Sequence, residues 1–116
     1  MLNSMALFVW IKIRRCSMKL PAYVKISGIN YTVVLKKRLE DSGDACWGLT
    51  DYPDATIYIC KELSQQKQRQ TLMHEMVHAM MHEAGLDNIC NDEKIVNPLG
   101  NMLDNVLASN DLAKLY

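Results

Sequence analysis

At 116 residues the chain is long enough for one small domain around a single hydrophobic core. Lys plus Arg and Asp plus Glu stand at 13 each, so the overall charge argues against a nucleic-acid footprint or an anionic membrane surface as partner. The cysteines, Cys16, Cys46, Cys60 and Cys90, contain no C-x-x-C pair and no regular spacing, which speaks against a thiolate zinc site or a disulfide framework and fits a reducing cytoplasm.

In chain order, Met5 to Trp10 is apolar but too short to span a bilayer, and it lacks the basic start and small-residue cleavage site of a signal peptide. Met18-Lys19-Leu20 reads as a bacterial translation start, with Arg14 to Ser17 at the distance of a ribosome-binding site before it. The domain is therefore expected over residues 18–116, and residues 1–17 are read as a non-native or disordered extension. Arg14-Arg15 and Lys36-Lys37-Arg38 read as solvated charges.

Tyr23 to Ser27 alternates apolar with polar, Gly28-Ile29-Asn30 supplies turn chemistry, and Tyr31 to Leu35 is apolar and β-branched, which predicts a hairpin. Asp41 to Asp44 reads as a loop, Cys46 to Thr50 as a third strand, and Asp51-Tyr52-Pro53-Asp54 as a turn. Thr56 to Cys60 is a short fourth strand with Ile57 and Ile59 on one face.

Ser64 has the chemistry of a helix N-cap and Gly85 that of a C-terminal cap, so a helix of about five turns is expected between them. Met73, Val77, Met80, Met81 and Ala84 form its apolar stripe, with Leu72, Met76 and Ala79 beside it. Val96, Leu99, Leu103, Val106 and Leu107 repeat at helical spacing and predict a second helix packed on the first. Pro98 leaves two starts open, near Asn91 with a bend at the proline, or Asn97 as N-cap with Pro98 in the first helical position. A small antiparallel or mixed sheet followed by two helices is an α+β order.

His74-Glu75-Met76-Val77-His78 is H-E-x-x-H, and on a helix its histidines stack on one face about 6 Å apart, within reach of one Zn2+ ion. Glu75 lies about 100° around the helix from His74, where its carboxylate stands beside a zinc-bound water as general base without being a ligand. Zinc lowers the pKa of that water toward about 7 and polarises a carbonyl, which is the chemistry of peptide-bond hydrolysis. A third protein ligand is needed, and His82, Glu83, Asp87, Asp92 and Glu93 are the candidates. His82 lies about 12 Å along the axis from His74, too far on a straight helix. Glu83 points away by helical phase, and the direction of Asp87 is unreadable. Glu93 stands where a chain reversing at Gly85 can return to the metal, and is the expected ligand.

An H-E-x-x-H motif followed by a glutamate on the next helix resembles the gluzincin-type zincins. More narrowly, Trp47 to Thr50, Thr56 to Ile59, Thr71 to Ala79 and Glu83 to Leu86 are similar to the small metallopeptidases of phages and mobile elements related to the ImmA/IrrE type. The resemblance spans about Val24 to Leu107. It implies His74, His78 and Glu93 as metal ligands, Glu75 as catalytic base, and Thr56 to Ile59 as the edge strand lining the cleft. Pro98 departs from the pattern.

The function expected is therefore a zinc-dependent metallopeptidase whose peptide or protein substrate adds as an extended strand along Thr56 to Cys60. The alternative is a non-catalytic, zinc-stabilised binding module of a phage or mobile element. A third reading is a helical interaction protein whose histidines bind nothing. Tyr52, Tyr58 and His82 are possible donors to a developing oxyanion. Oligomeric state has no visible signature.

Overall fold

The computed structural model describes residues 19–116, so the expectations for residues 1–17 and for a start at Met18 lie outside the described residues. Strand β1 (Tyr23–Ile26) pairs antiparallel with β2 (Ile29–Lys36). The turn between them is Ser27-Gly28, with φ of 52° and 81°. Two consecutive left-handed residues match the twist of a tight hairpin, which is why the turn sits ahead of the Gly28 to Asn30 stretch expected. β-branched Ile29 begins the next strand instead.

The segment read as a loop carries a minute hairpin, β3 (Glu40–Asp41) and β4 (Asp44–Ala45), again turned by two left-handed residues, Ser42 and Gly43. Strands β5 (Gly48–Asp51) and β6 (Thr56–Cys60) follow, joined through the turn at Pro53. The sheet order is β1-β2-β6-β5, with β6 parallel to β2 and antiparallel to β5. Thr56 to Cys60 is thus an internal strand rather than the expected edge. Its alternation reads alike in both settings, but here Val33 pairs with Ile57 on one side and Thr50 with Ile57 on the other. Strand β5 is an edge of the sheet and lies against α1.

Helix α1 (Gln65–Glu83) begins where Ser64 Oγ accepts from Lys67 N at 3.2 Å. It ends in a left-handed Gly85, with Leu86 N bonded to Met81 O and Gly85 N to His82 O, a Schellman closure. The helix lies between the sheet and a second helix, so its buried arc is wider and differently centred than the expected stripe. Leu72 and Ala79 pack on Tyr31, Ile57 and Ile59, while Val77 and Met81 join Cys90 and Val96 on the other side. Met80 and Ala84 are exposed. Tyr31, fully buried, donates its hydroxyl to Glu83 Oε2 and pins β2 to the end of α1.

Helix α2 (Glu93–Ser109) is capped by Asp92, whose side chain accepts from Lys94 N at 3.1 Å. It starts close to the earlier of the two expected sites and carries Pro98 inside, so Asn97 is not the cap. Arg69 and Asp104, 2.9 Å apart, clip α1 to α2. A short 3-10 turn, Ala113–Leu115, ends the chain. Among the described residues no helix is long and apolar enough to cross a membrane.

Candidate metal centre

His74 and His78 stand one turn apart on α1, their ring centroids 5.0 Å apart and their planes inclined by 67°. The connection after Gly85 reverses the chain and sets Glu93, the first residue of α2, across from both rings. Glu93 Oε2 lies 3.0 Å from His74 Nε2, and Oε1 lies 3.0 Å from His78 Nε2, so one carboxylate straddles the two imidazoles. This close approach depends on Gly100, where a Cβ would come within 2.9 Å of the His74 Cα.

The proton positions follow from the partners. His78 Nδ1 lies 2.6 Å from the carbonyl oxygen of Cys90, which can only accept, so Nδ1 carries a hydrogen and Nε2 is the nitrogen whose lone pair can take up a proton or a metal ion. That lone pair faces a carboxylate oxygen. Two acceptors at 3.0 Å need a cation between them, either a proton or a metal ion. Burial is the main influence lowering the His74 pKa, with the nearby His78 acting the same way; Glu93 and the side chain of Asn97, one turn further along α2, oppose it by favouring the protonated ring.

Two imidazole nitrogens and a carboxylate are the donor set of an open zinc site. Ligand atoms bonded to zinc at about 2.0–2.1 Å in a tetrahedron lie about 3.3–3.4 Å apart, so the observed 3.0 Å contacts need open by only a few tenths of an ångström. The residues present fit a zinc ion, and His74, His78 and Glu93 form a group that can hold one.

Glu75 is buried beside this group. Its Oε1 lies 2.9 Å from Thr50 Oγ1, which donates to it from β5, and its Oε2 lies 3.9 Å from His74 Nε2. Burial pushes its carboxyl up to about 7, against the opposing pull of His78 and of the Thr50 hydrogen bond, while Glu93 adds to the rise. Gly48 makes room for it, since a Cβ there would fall 2.7 Å from Thr71 Cγ2 and 2.9 Å from Glu75 Cγ. The group opens into a cleft of about 820 Å³ between β5 and the start of α2, with Trp47, Tyr52 and Asn91 on its walls.

Residues 28–97 match the IrrE N-terminal-like domain of the peptidase M78 family. The chain belongs to that family. No curated protein and no solved structure matches it. The matched stretch runs from the first hairpin turn through α1 to Asn97, and so contains His74, Glu75, His78 and Glu93, while Gly100 lies just beyond it.

M78 membership makes this a domain of metallopeptidase type, and the structure brings together all four residues singled out from its sequence, His74, Glu75, His78 and Glu93. His82 stays apart from them, its Nδ1 2.6 Å from Asp87 Oδ1 and its ring stacked on Tyr52 at 4.4 Å. Of the possible oxyanion donors, Tyr52 lines the cleft but gives its hydroxyl hydrogen to Asn91 Oδ1 at 2.7 Å. Tyr58 lies under Lys36, away from the cleft walls. Thr50, Asn97 and the Cys90 carbonyl belong to no motif readable in this sequence. Gly48, a glycine inside a strand, is the one such position with a readable signal, because an isolated strand glycine often marks a close approach.

Proposed function

We propose that this M78 domain is a zinc-dependent peptidase of the gluzincin type, with His74, His78 and Glu93 as metal ligands and Glu75 as general base. The observation that carries the reading is the His78 ring, whose Nδ1 is committed to Cys90 while its Nε2 faces the Glu93 carboxylate at 3.0 Å. A proton or a metal ion must stand between the two, and the donor set suits zinc. When bound, zinc supplies a Lewis acid that acidifies water and polarises a carbonyl.

Glu75 then moves the proton. Thr50 holds Oε1, leaving Oε2, on the His74 side, to accept a proton and return it to a leaving amine. The raised affinity of this buried carboxyl for a proton suits a group that must take one up and release it near neutrality. A non-catalytic, zinc-stabilised binding module would have no use for a buried carboxylate held in this way.

The free edge of β5 runs beside the cleft, so an extended peptide substrate adds along Gly48–Asp51. Cys46, Cys60 and Cys90 are free thiols, in keeping with a cytoplasmic setting. The test is metal analysis of untagged protein combined with cleavage of a peptide library. Zinc-dependent cleavage that Glu75→Gln abolishes is expected. Bound zinc with no cleavage of any peptide would favour the binding module, and the absence of metal would overturn the reading.

A further inference from the structure

Cys90 takes part in two groups. Its carbonyl accepts from His78, and its side chain belongs to a second set of donors, His82, Asp87 and Cys90, whose ligand atoms lie within 4.8 Å of one another. His82 stands on the last turn of α1, and the Schellman closure at Gly85 folds the connection back so that Asp87 and Cys90 return to it. An ion pair explains His82 and Asp87, at 2.6 Å, but not the thiol.

The Cys90 sulfur is buried, yet its surroundings are not those of a plain apolar cysteine. It faces the Asp87 carbonyl at 3.6 Å, a weak contact, and Tyr52 packs against the cluster to which Cys90 belongs. The Tyr52 ring stacks on His82, fixing the imidazole as outer-sphere packing fixes a metal ligand. Asp87, 68% exposed, leaves the outer side open to solvent.

We propose that His82, Asp87 and Cys90 form a second cation site, distinct from the His74–His78–Glu93 group, for a thiophilic divalent ion of the zinc class. Nitrogen and oxygen ligands at about 2.0–2.1 Å and sulfur at about 2.3 Å would stand about 3.3–3.7 Å apart in a tetrahedron. The exposed Asp87 can withdraw from His82 to meet this, while the sulfur closes in. A thiolate ligand forms by release of the thiol proton to solvent, so uptake strengthens as pH rises. An ion there clamps the connection between the helices and, through the Cys90 carbonyl, steadies His78. The earlier expectation of no thiolate site rested on the missing C-x-x-C, and a mixed donor set does not need one.

Cobalt titration of metal-free protein tests this, because a site of histidine and carboxylate gives no sulfur-to-cobalt charge-transfer absorption and a thiolate site does. Wild type should bind a second equivalent of Co2+ with a near-ultraviolet thiolate band. The band should survive His74→Ala, vanish in Cys90→Ser, and need at least tenfold more cobalt in Asp87→Ala. Saturation at one equivalent with no thiolate band overturns the proposal, as does a band that persists in Cys90→Ser. Circular dichroism checks that Cys90→Ser folds. Should it not, the exposed Asp87→Ala decides, and unchanged affinity there overturns the site. Failure of the first metal site alone would leave the band in place.

Discussion

A Cβ on Gly100 would lie 2.9 Å from the Cα of His74, so α1 and α2 meet backbone to backbone beside the first of the metal-facing histidines. Alanine at position 100 gains about 1 kcal/mol of helix propensity, but the clash is with main chain, which no rotamer change relieves. Overpacking of this kind costs about 1–3 kcal/mol, so a net loss of stability is expected. The shift also levers Glu93, on the same helix, away from His74. Gly100→Ala should lower the melting temperature of the metal-free protein and weaken zinc binding at least tenfold in a chelator competition. Unchanged values for both would show that the helices do not touch there.

Glu75→Gln preserves shape and can still accept from Thr50, but removes the basic oxygen. Zinc content should be retained while kcat falls by about 10²–10⁴. Wild-type turnover by this variant would remove Glu75 from the role of base.

Thr50→Val deletes the hydroxyl that donates to Glu75 Oε1. A hydrogen bond to a carboxylate favours the charged form, so its loss raises the Glu75 pKa and leaves the base protonated at higher pH. The acid limb of kcat/KM should move to higher pH while Thr50→Ser keeps the wild-type profile. An acid limb that stays in place in Thr50→Val contradicts the pairing.

Glu93→Ala removes the carboxylate between the two imidazoles, and zinc affinity at that site should fall by orders of magnitude, whereas His82→Ala should leave that site nearly unaffected. The same linkage sets the response to chelation. An ion that binds only the folded chain stabilises it by about 4 kcal/mol at a free concentration of 1,000 times its Kd, so the wild type should lose many degrees of melting temperature on metal removal and Glu93→Ala, without its ion at this site, should lose fewer. Calorimetry with and without chelator measures both.

How much of this was legible in the sequence depends on the range of each interaction. The ends of α1 are local chemistry, Ser64 on Lys67 N and Gly85 in its left-handed turn, and both are readable from neighbouring residues. The phase of His74, Glu75 and His78 is likewise local, and Glu93 follows because only a chain reversal brings a carboxylate back to that face. The position of β6 is not local. A strand with one neighbour and a strand with two alternate alike, so the alternation of Thr56 to Cys60 does not fix its place, and the edge position implied by the family resemblance gives way to pairing on both sides. The contributions of Thr50, the Cys90 carbonyl and Asn97 arise where distant segments meet, and no periodicity announces them. Met80 and Ala84 were misplaced for a related reason, since a helix held between a sheet and a second helix buries polar His78 and Glu75 in preference to part of its apolar stripe.

The parallel seam between β2 and β6 also governs the order of assembly. The β1–β2 and β5–β6 hairpins close over short turns, but they join only where Thr32 meets Thr56 and Lys36 meets Cys60, positions far apart along the chain. Loop-closure entropy is lost there before new contacts compensate it, which makes the docking of preformed hairpins the slow step. α1 packs on Ile57 and Ile59, and Glu93 faces the histidines of α1, so both contacts are expected to follow the joining of the hairpins. The metal-facing residues therefore come together on the native side of the folding barrier. Val33→Ala, in the seam, should slow refolding in stopped-flow measurements, whereas a bound ion should act almost wholly on the unfolding rate, lengthening the lifetime of the folded chain without hastening its formation.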